Sequence, residues 1–182
     1  MSCSPRTILI DAAVSFALTT LACAADTGSL GIGHVATPAQ VAGWDIDVRA
    51  DGQGLPPGHG SVREGERIFA ETCAACHGAK GEGKPADRLV GGFGTLATSK
   101  PVRTVGSYWP YASTLFDYIR RAMPFNSPQS LTADQVYAVS AYILYLNNIV
   151  TKDTVLDATS LPRVEMPNRN GLTSPDPRPD VP

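Results

Sequence analysis

The sequence predicts an all-α fold built on one compact domain. Two capping boxes carry that prediction, Ser61-Val62-Arg63-Glu64 and Thr132-Ala133-Asp134-Gln135, each ahead of apolar residues at helical spacing. A third run with the same spacing follows Pro110, and period-two alternation is scarce along the chain. At 182 residues the chain has room for one domain with extensions on both sides. Its formal net charge of −2 excludes a strongly basic face, so nucleic acid is not an expected partner.

Residues 1–24 read as a signal peptide. Arg6 supplies the positive start, Ile8 to Leu21 is mostly apolar, and Ala22-Cys23-Ala24 fits a small-x-small cleavage site before Ala25. The apolar run is shorter than about 18 residues and carries Asp11, which argues against a stable membrane span. Lipidation at Cys23 is the further alternative, although Thr20-Leu21-Ala22-Cys23 is a poor acceptor motif. An exported, periplasmic protein is expected. Cys3 and Cys23 both lie in this segment, so the mature body is expected to hold no disulfide.

Residues 25–60 form an N-terminal arm. Thr37-Pro38 reads as N-cap and first position of a short helix. Asp45-Ile46-Asp47-Val48 alternates as a short strand would, and the stretch from Gly52 to Gly60 is a Gly/Pro loop. Trp44, Ile46 and Val48 are too apolar for a free linker and predict packing on the domain or on a partner.

Residues 61–149 form the domain. The Ser61 box opens a helix through Gly65, Ile68 and Phe69, with Gly65 and Phe69 one turn apart on one face. A Gly inside a helix costs about 1 kcal/mol against Ala, and close contact with another helix is the expected reason for Gly65. Residues 78–109 read as a Gly/Pro-rich loop. Pro110 fits the first position of the next helix, whose stripe is Leu115, Phe116, Ile119 and Ala122. Arg120 and Arg121 at its end suit the helix dipole, a partner or an anionic ligand group. The Thr132 box opens a helix apolar on much of its girth, closed by Asn147-Asn148. Residues 150–182 hold six Pro and one Gly without periodicity and read as an extended tail, ordered only if it docks. For arm and tail alike, a collar for a large partner and packing on their own domain are both open.

Chemistry concentrates at Cys73-Ala74-Ala75-Cys76-His77, which reads as a c-type haem attachment site. Two thiols three residues apart can each add across a vinyl group, and the His that follows is an axial ligand. A zinc site would want a second pair of N or S ligands, and a redox dithiol a βαβ context. One covalent haem c is expected, and its second axial ligand should lie downstream. Met123 directly follows a helical stripe and precedes Pro124, which forces it out of the helix. Met166 lies in the Pro-rich tail and is not expected to ligate. Tyr108-Trp109-Pro110-Tyr111 is an aromatic knot; Tyr108 and Trp109 either pack in the core or line the haem and its propionates.

Taken together, the Gly65-x-x-x-Phe69 helix, C-x-x-C-H, Met123-Pro124 and the capped last helix resemble the class I cytochrome c family. The resemblance implies that first and last helices cross near the haem edge, with His77 proximal and Met123 distal. A closer resemblance takes in the flanks: Ala36-Thr37-Pro38, Trp44-Asp45-Ile46-Asp47-Val48-Arg49, Val105-Gly106-Ser107-Tyr108-Trp109-Pro110-Tyr111-Ala112 and Met166-Pro167-Asn168-Arg169-Asn170-Gly171. These are similar to the cytochrome subunits of sulfane dehydrogenases (SoxD-type). That similarity implies a molybdopterin partner of sulfite-oxidase type as electron donor and another cytochrome as acceptor. Many such subunits carry two haem domains, whereas this chain has one C-x-x-C-H. The cytochrome subunit of a sulfite dehydrogenase and a generic soluble carrier are the alternatives. With both axial positions filled, the implied chemistry is outer-sphere electron transfer, and no catalysis is expected of this chain alone. A haem enzyme with an open distal site and a haem-free interaction module are the competing classes.

Overall fold

A computed structural model describes residues 32–173. The predicted signal segment lies outside the described residues. The chain divides into two units, Met1–Pro38 and Ala39–Pro182. In chain order the elements are α1 (Pro38–Trp44), β1 (His59–Ser61), α2 (Val62–Thr72), α3 (Ala74–His77), α4 (Ala112–Ala122), α5 (Ala133–Leu146), β2 (Val155–Asp157) and a 3-10 turn (Leu161–Arg163).

Both capping boxes form. The Ser61 Oγ accepts from the Glu64 N–H at 3.2 Å, and the Glu64 carboxylate accepts the Ser61 N–H at 2.9 Å. Thr132 and Gln135 exchange the same pair at 3.3 and 2.8 Å. Each box satisfies donors that a helix start otherwise leaves orphaned. α2 buries Val62, Gly65, Ile68 and Phe69, and α5 is buried along Val136 to Leu144. The two helices cross where α2 offers Gly65. A Cβ there would overlap the Ala138 carbonyl oxygen and come within 2.8 Å of the Tyr142 Cβ. One turn on, Phe69 packs on Tyr142 with ring centroids 5.3 Å apart. α4 covers another side of α5, with Phe116 against Tyr137 at 4.4 Å.

α4 begins at Ala112 with Tyr111 as its N-cap, so Pro110 lies outside the helix rather than at its first position. The extended backbone of Tyr111, φ −136 and ψ 135, sets the start instead. The helix expected at Pro38 forms. The expected strand at Asp45–Val48 does not: the segment runs without strand partners, and side chains of α4 satisfy its backbone. Val48 N–H donates to Asp117 Oδ1 at 2.8 Å, Arg120 Nη1 donates to the Ile46 carbonyl at 3.2 Å, and Ser113 Oγ donates to the Ala50 carbonyl at 2.8 Å. Val48 is buried, while Trp44 is 89% exposed.

A two-stranded antiparallel ribbon, with Gly60 opposite Leu156, adds a little β-structure to the all-α plan. Strands of three residues are too short to show alternation. The ribbon brings the tail back onto the domain, where Leu156, Leu161 and Met166 join the core. The described part of the tail packs on its own domain.

Candidate functional site

Cys73 closes α2 and opens the single turn α3, its carbonyl accepting from the N–H groups of Cys76 and His77 at 3.1 and 3.0 Å. Positions i, i+3 and i+4 of one helical turn share a face, so the motif presents two sulfurs and an imidazole together. Gly78 ends the turn at φ +83 and ψ 154, a conformation open to glycine. A Cβ there would also meet the Glu82 carboxylate.

Both thiols are free. Cys73 is half-buried against the core and Cys76 is exposed. Burial, with a smaller contribution from neighbouring Cys76, pushes the Cys73 thiol up to about 11. A dithiol built for exchange has the opposite bias, a thiolate favoured at neutral pH. Among the described residues no group of three or more His, Cys, Asp and Glu could hold a metal ion.

His77 Nδ1 stands 2.7 Å from the Asp87 carbonyl oxygen. A carbonyl only accepts, so Nδ1 is the donor in this bond and Nε2 is the ring nitrogen left to face a ligand. The loop that delivers Asp87 is stitched to the motif by backbone bonds. Gly83 N–H donates to the His77 carbonyl at 2.7 Å, Ala86 N–H to that of Cys76 at 2.9 Å, and Leu89 N–H to that of Gly81 at 2.9 Å.

Met123 is the C-cap of α4, with extended backbone at φ −120 and ψ 145, the conformation a following proline imposes. Its side chain is partly buried against the core. Met166, by contrast, is 3% exposed, a core residue of the tail. Trp109 is partly buried and meets Tyr118 edge-on, centroids 5.8 Å apart. Tyr108 lies at the surface, with Arg103 over its ring at 5.5 Å and Asn168 Nδ2 donating to its carbonyl at 2.7 Å.

The family model "Cytochrome C oxidase, cbb3-type, subunit III" matches residues 60–143, from β1 through most of α5. Among solved structures, a chain of the sulfane dehydrogenase SoxCD from Paracoccus pantotrophus is 46% identical, with a TM-score of 0.77, over 82% of this chain and 74% of that one. The chain belongs to the class I c-type cytochromes. A curated relative, a thiosulfate dehydrogenase of Psychrobacter arcticus, is 30% identical over 82 residues, 45% of this chain. That match spans only 25% of the relative's length.

Membership implies haem c, and the donor set of this cytochrome fits it: two free thiols on one face, an imidazole whose Nδ1 is already engaged by a carbonyl, and a thioether released from its helix. Three residues that matter locally were not singled out from the sequence. Asp87 acts through its backbone carbonyl, which leaves no side-chain signal. Asp117, buried among α4 residues, ties down the arm and also accepts from Arg121 Nε at 3.1 Å. Arg120 and Arg121 are thereby engaged with the arm and α4. Asn147, legible in the sequence only as a helix end, is a buried side chain at the close of α5.

Proposed function

We propose that this cytochrome is a periplasmic electron carrier with one covalent haem c. In this reading it takes electrons from a molybdenum sulfur-oxidising partner of the sulfane dehydrogenase kind and passes them to another cytochrome. Cys73 and Cys76 would tether the group, His77 and Met123 would supply its nitrogen and sulfur ligands, and Tyr108 and Trp109 would lie beside it. When bound, the haem supplies a one-electron couple. The observation that carries the ligation is the His77–Asp87 bond at 2.7 Å, which aims a donor nitrogen and fixes its tautomer in advance. With Met123 in the other position, substrate sulfur has no open coordination site, so the chain relays electrons and leaves sulfur chemistry to the partner.

Support for the partner comes from likeness to SoxCD over most of the chain's length. Among the described residues no helix is long and apolar enough to cross a membrane. The test is rapid mixing of the oxidised, haem-loaded protein with a substrate-reduced molybdenum subunit of the sulfane dehydrogenase type. Reduction within the turnover time of that subunit is expected. Reduction only on the timescale seen with an unrelated reductant would remove this partner and leave a generic carrier.

A further inference from the structure

Asn147 is 1% exposed and caps the C-terminus of α5. Its backbone N–H already closes the helix on Ile143, and Asn148 turns the chain at φ 56. The side chain goes further. Nδ2 donates to the Ile143 carbonyl at 2.9 Å and, across 58 positions in sequence, to the Leu89 carbonyl at 3.1 Å. Oδ1 accepts the Gly91 N–H at 3.1 Å. An amide can donate and accept at once, and here it grips a passing peptide segment by both kinds of group. The opposite side of that segment is held as well: Leu89 and Val90 N–H donate to the Gly81 carbonyl at 2.9 and 3.2 Å, and Thr104 Oγ1 donates to the Gly91 carbonyl at 2.6 Å. Asp87 lies two residues before the gripped segment, and its carbonyl meets His77 Nδ1.

We infer that Asn147 is a positioning residue for His77: it fixes the Leu89–Gly91 backbone against α5 and so holds the Asp87 carbonyl on the imidazole N–H. The inference rests on the proposed role of His77 as axial ligand. An imidazole whose Nδ1–H is bonded to a carbonyl is a stronger donor through Nε2. That favours the oxidised state of the metal it binds, so a looser Asp87 carbonyl raises the reduction potential.

Asn147→Leu, similar in volume and unable to grip either peptide group, tests this in the haem-loaded protein. Two quantities are read: the reduction potential by equilibrium titration, and the exchange rate of the His77 ring N–H by NMR. Haem and its His/Met spectrum should persist, while the potential shifts upward and the ring proton exchanges faster. Leu161→Ala is the control, since it loosens the core in the 3-10 turn against α4 and Leu161 makes none of the hydrogen bonds that hold the 87–91 segment. It should lower the melting temperature and leave the potential in place. If Asn147→Leu does not accumulate folded, Asn147→Ser is read in its place, its hydroxyl too short to span both groups. Unchanged potential and exchange, or an equal shift in the Leu161→Ala control, would overturn the inference. A wild-type protein lacking a His/Met spectrum would instead defeat the ligation on which it rests.

Discussion

Gly65 lies against the Ala138 carbonyl, so close that a single added carbon would occupy the oxygen's place. The contact sets the crossing of α2 and α5, and α2 runs directly into Cys73. Its geometry is therefore passed on to the attachment motif.

Gly65→Ala decides between two opposed effects. Alanine gains about 1 kcal/mol in helix propensity. Forcing a methyl into a closed crossing costs typically about 1–3 kcal/mol, because two helix backbones must part. The obstructing atom is backbone, which cannot swing aside, so the steric cost should win. Guanidinium unfolding should show a net loss of stability; equal or greater stability would mean the helices separate freely.

The two methionines should separate cleanly. Met123→Ala is expected to abolish the weak long-wavelength thioether-to-iron band of the oxidised protein while leaving the fold largely intact, because the side chain is only partly buried. Met166→Ala should keep that band and lose about 2–5 kcal/mol of stability, as for truncation of a core side chain. Absorbance and thermal melts of both variants check the pair, and the reverse pattern would exchange the two roles.

What could be read in advance followed from local chemistry. Ser61 with Glu64, and Thr132 with Gln135, specify helix starts within four residues, and both starts are where the sequence places them. Met123 leaves its helix because Pro124 demands it. The elements that escaped depend on partners distant in sequence. Val48 alternates like a strand residue, yet its N–H finds the Asp117 carboxylate 69 positions away. The ribbon joins Ser61 to Val155, and no local pattern in a Pro-rich tail announces that pairing. The bond that fixes the His77 tautomer uses a main-chain oxygen, which any residue at position 87 would offer.

The tail should prove to be part of the domain. Leu161 is fully buried and Leu156 pairs across from Gly60 beneath it in sequence but beside it in the sheet. A chain ending at residue 150 would lose that strand and both leucines, so it should mature poorly and melt well below the full-length protein. Leu161→Ala alone should cost about 2–5 kcal/mol. A shortened protein with full haem content and an unchanged melting temperature would show that the tail is dispensable.

Stability should form a plateau with respect to pH, bounded by different groups at each end. The Glu64 carboxyl is held below its usual range by the Ser61 side-chain and backbone hydrogen bonds. Asp157 is held below its range chiefly by the Thr159 hydroxyl, with further bonds from Ser160 and the Thr159 backbone. For a carboxyl lowered in the folded state, the stabilisation is complete above the unfolded value of about 4 and fades as pH falls below it. At the alkaline end, burial pushes the Tyr137 phenol up to about 12, and its hydroxyl donates to the Pro56 carbonyl at 2.9 Å. An acid raised in the folded state works in the opposite sense: its contribution is complete below the unfolded value of about 10 and is lost as pH climbs through the folded one. Thermal midpoints measured across this range should fall away on both sides. Asp157→Asn should make the acid limb shallower, with Glu64 carrying the remainder, and Tyr137→Phe should do the same to the alkaline one, each leaving the other limb unchanged. An alkaline limb that persists in Tyr137→Phe would assign it to another group, with Tyr142, also raised by burial, the next to replace.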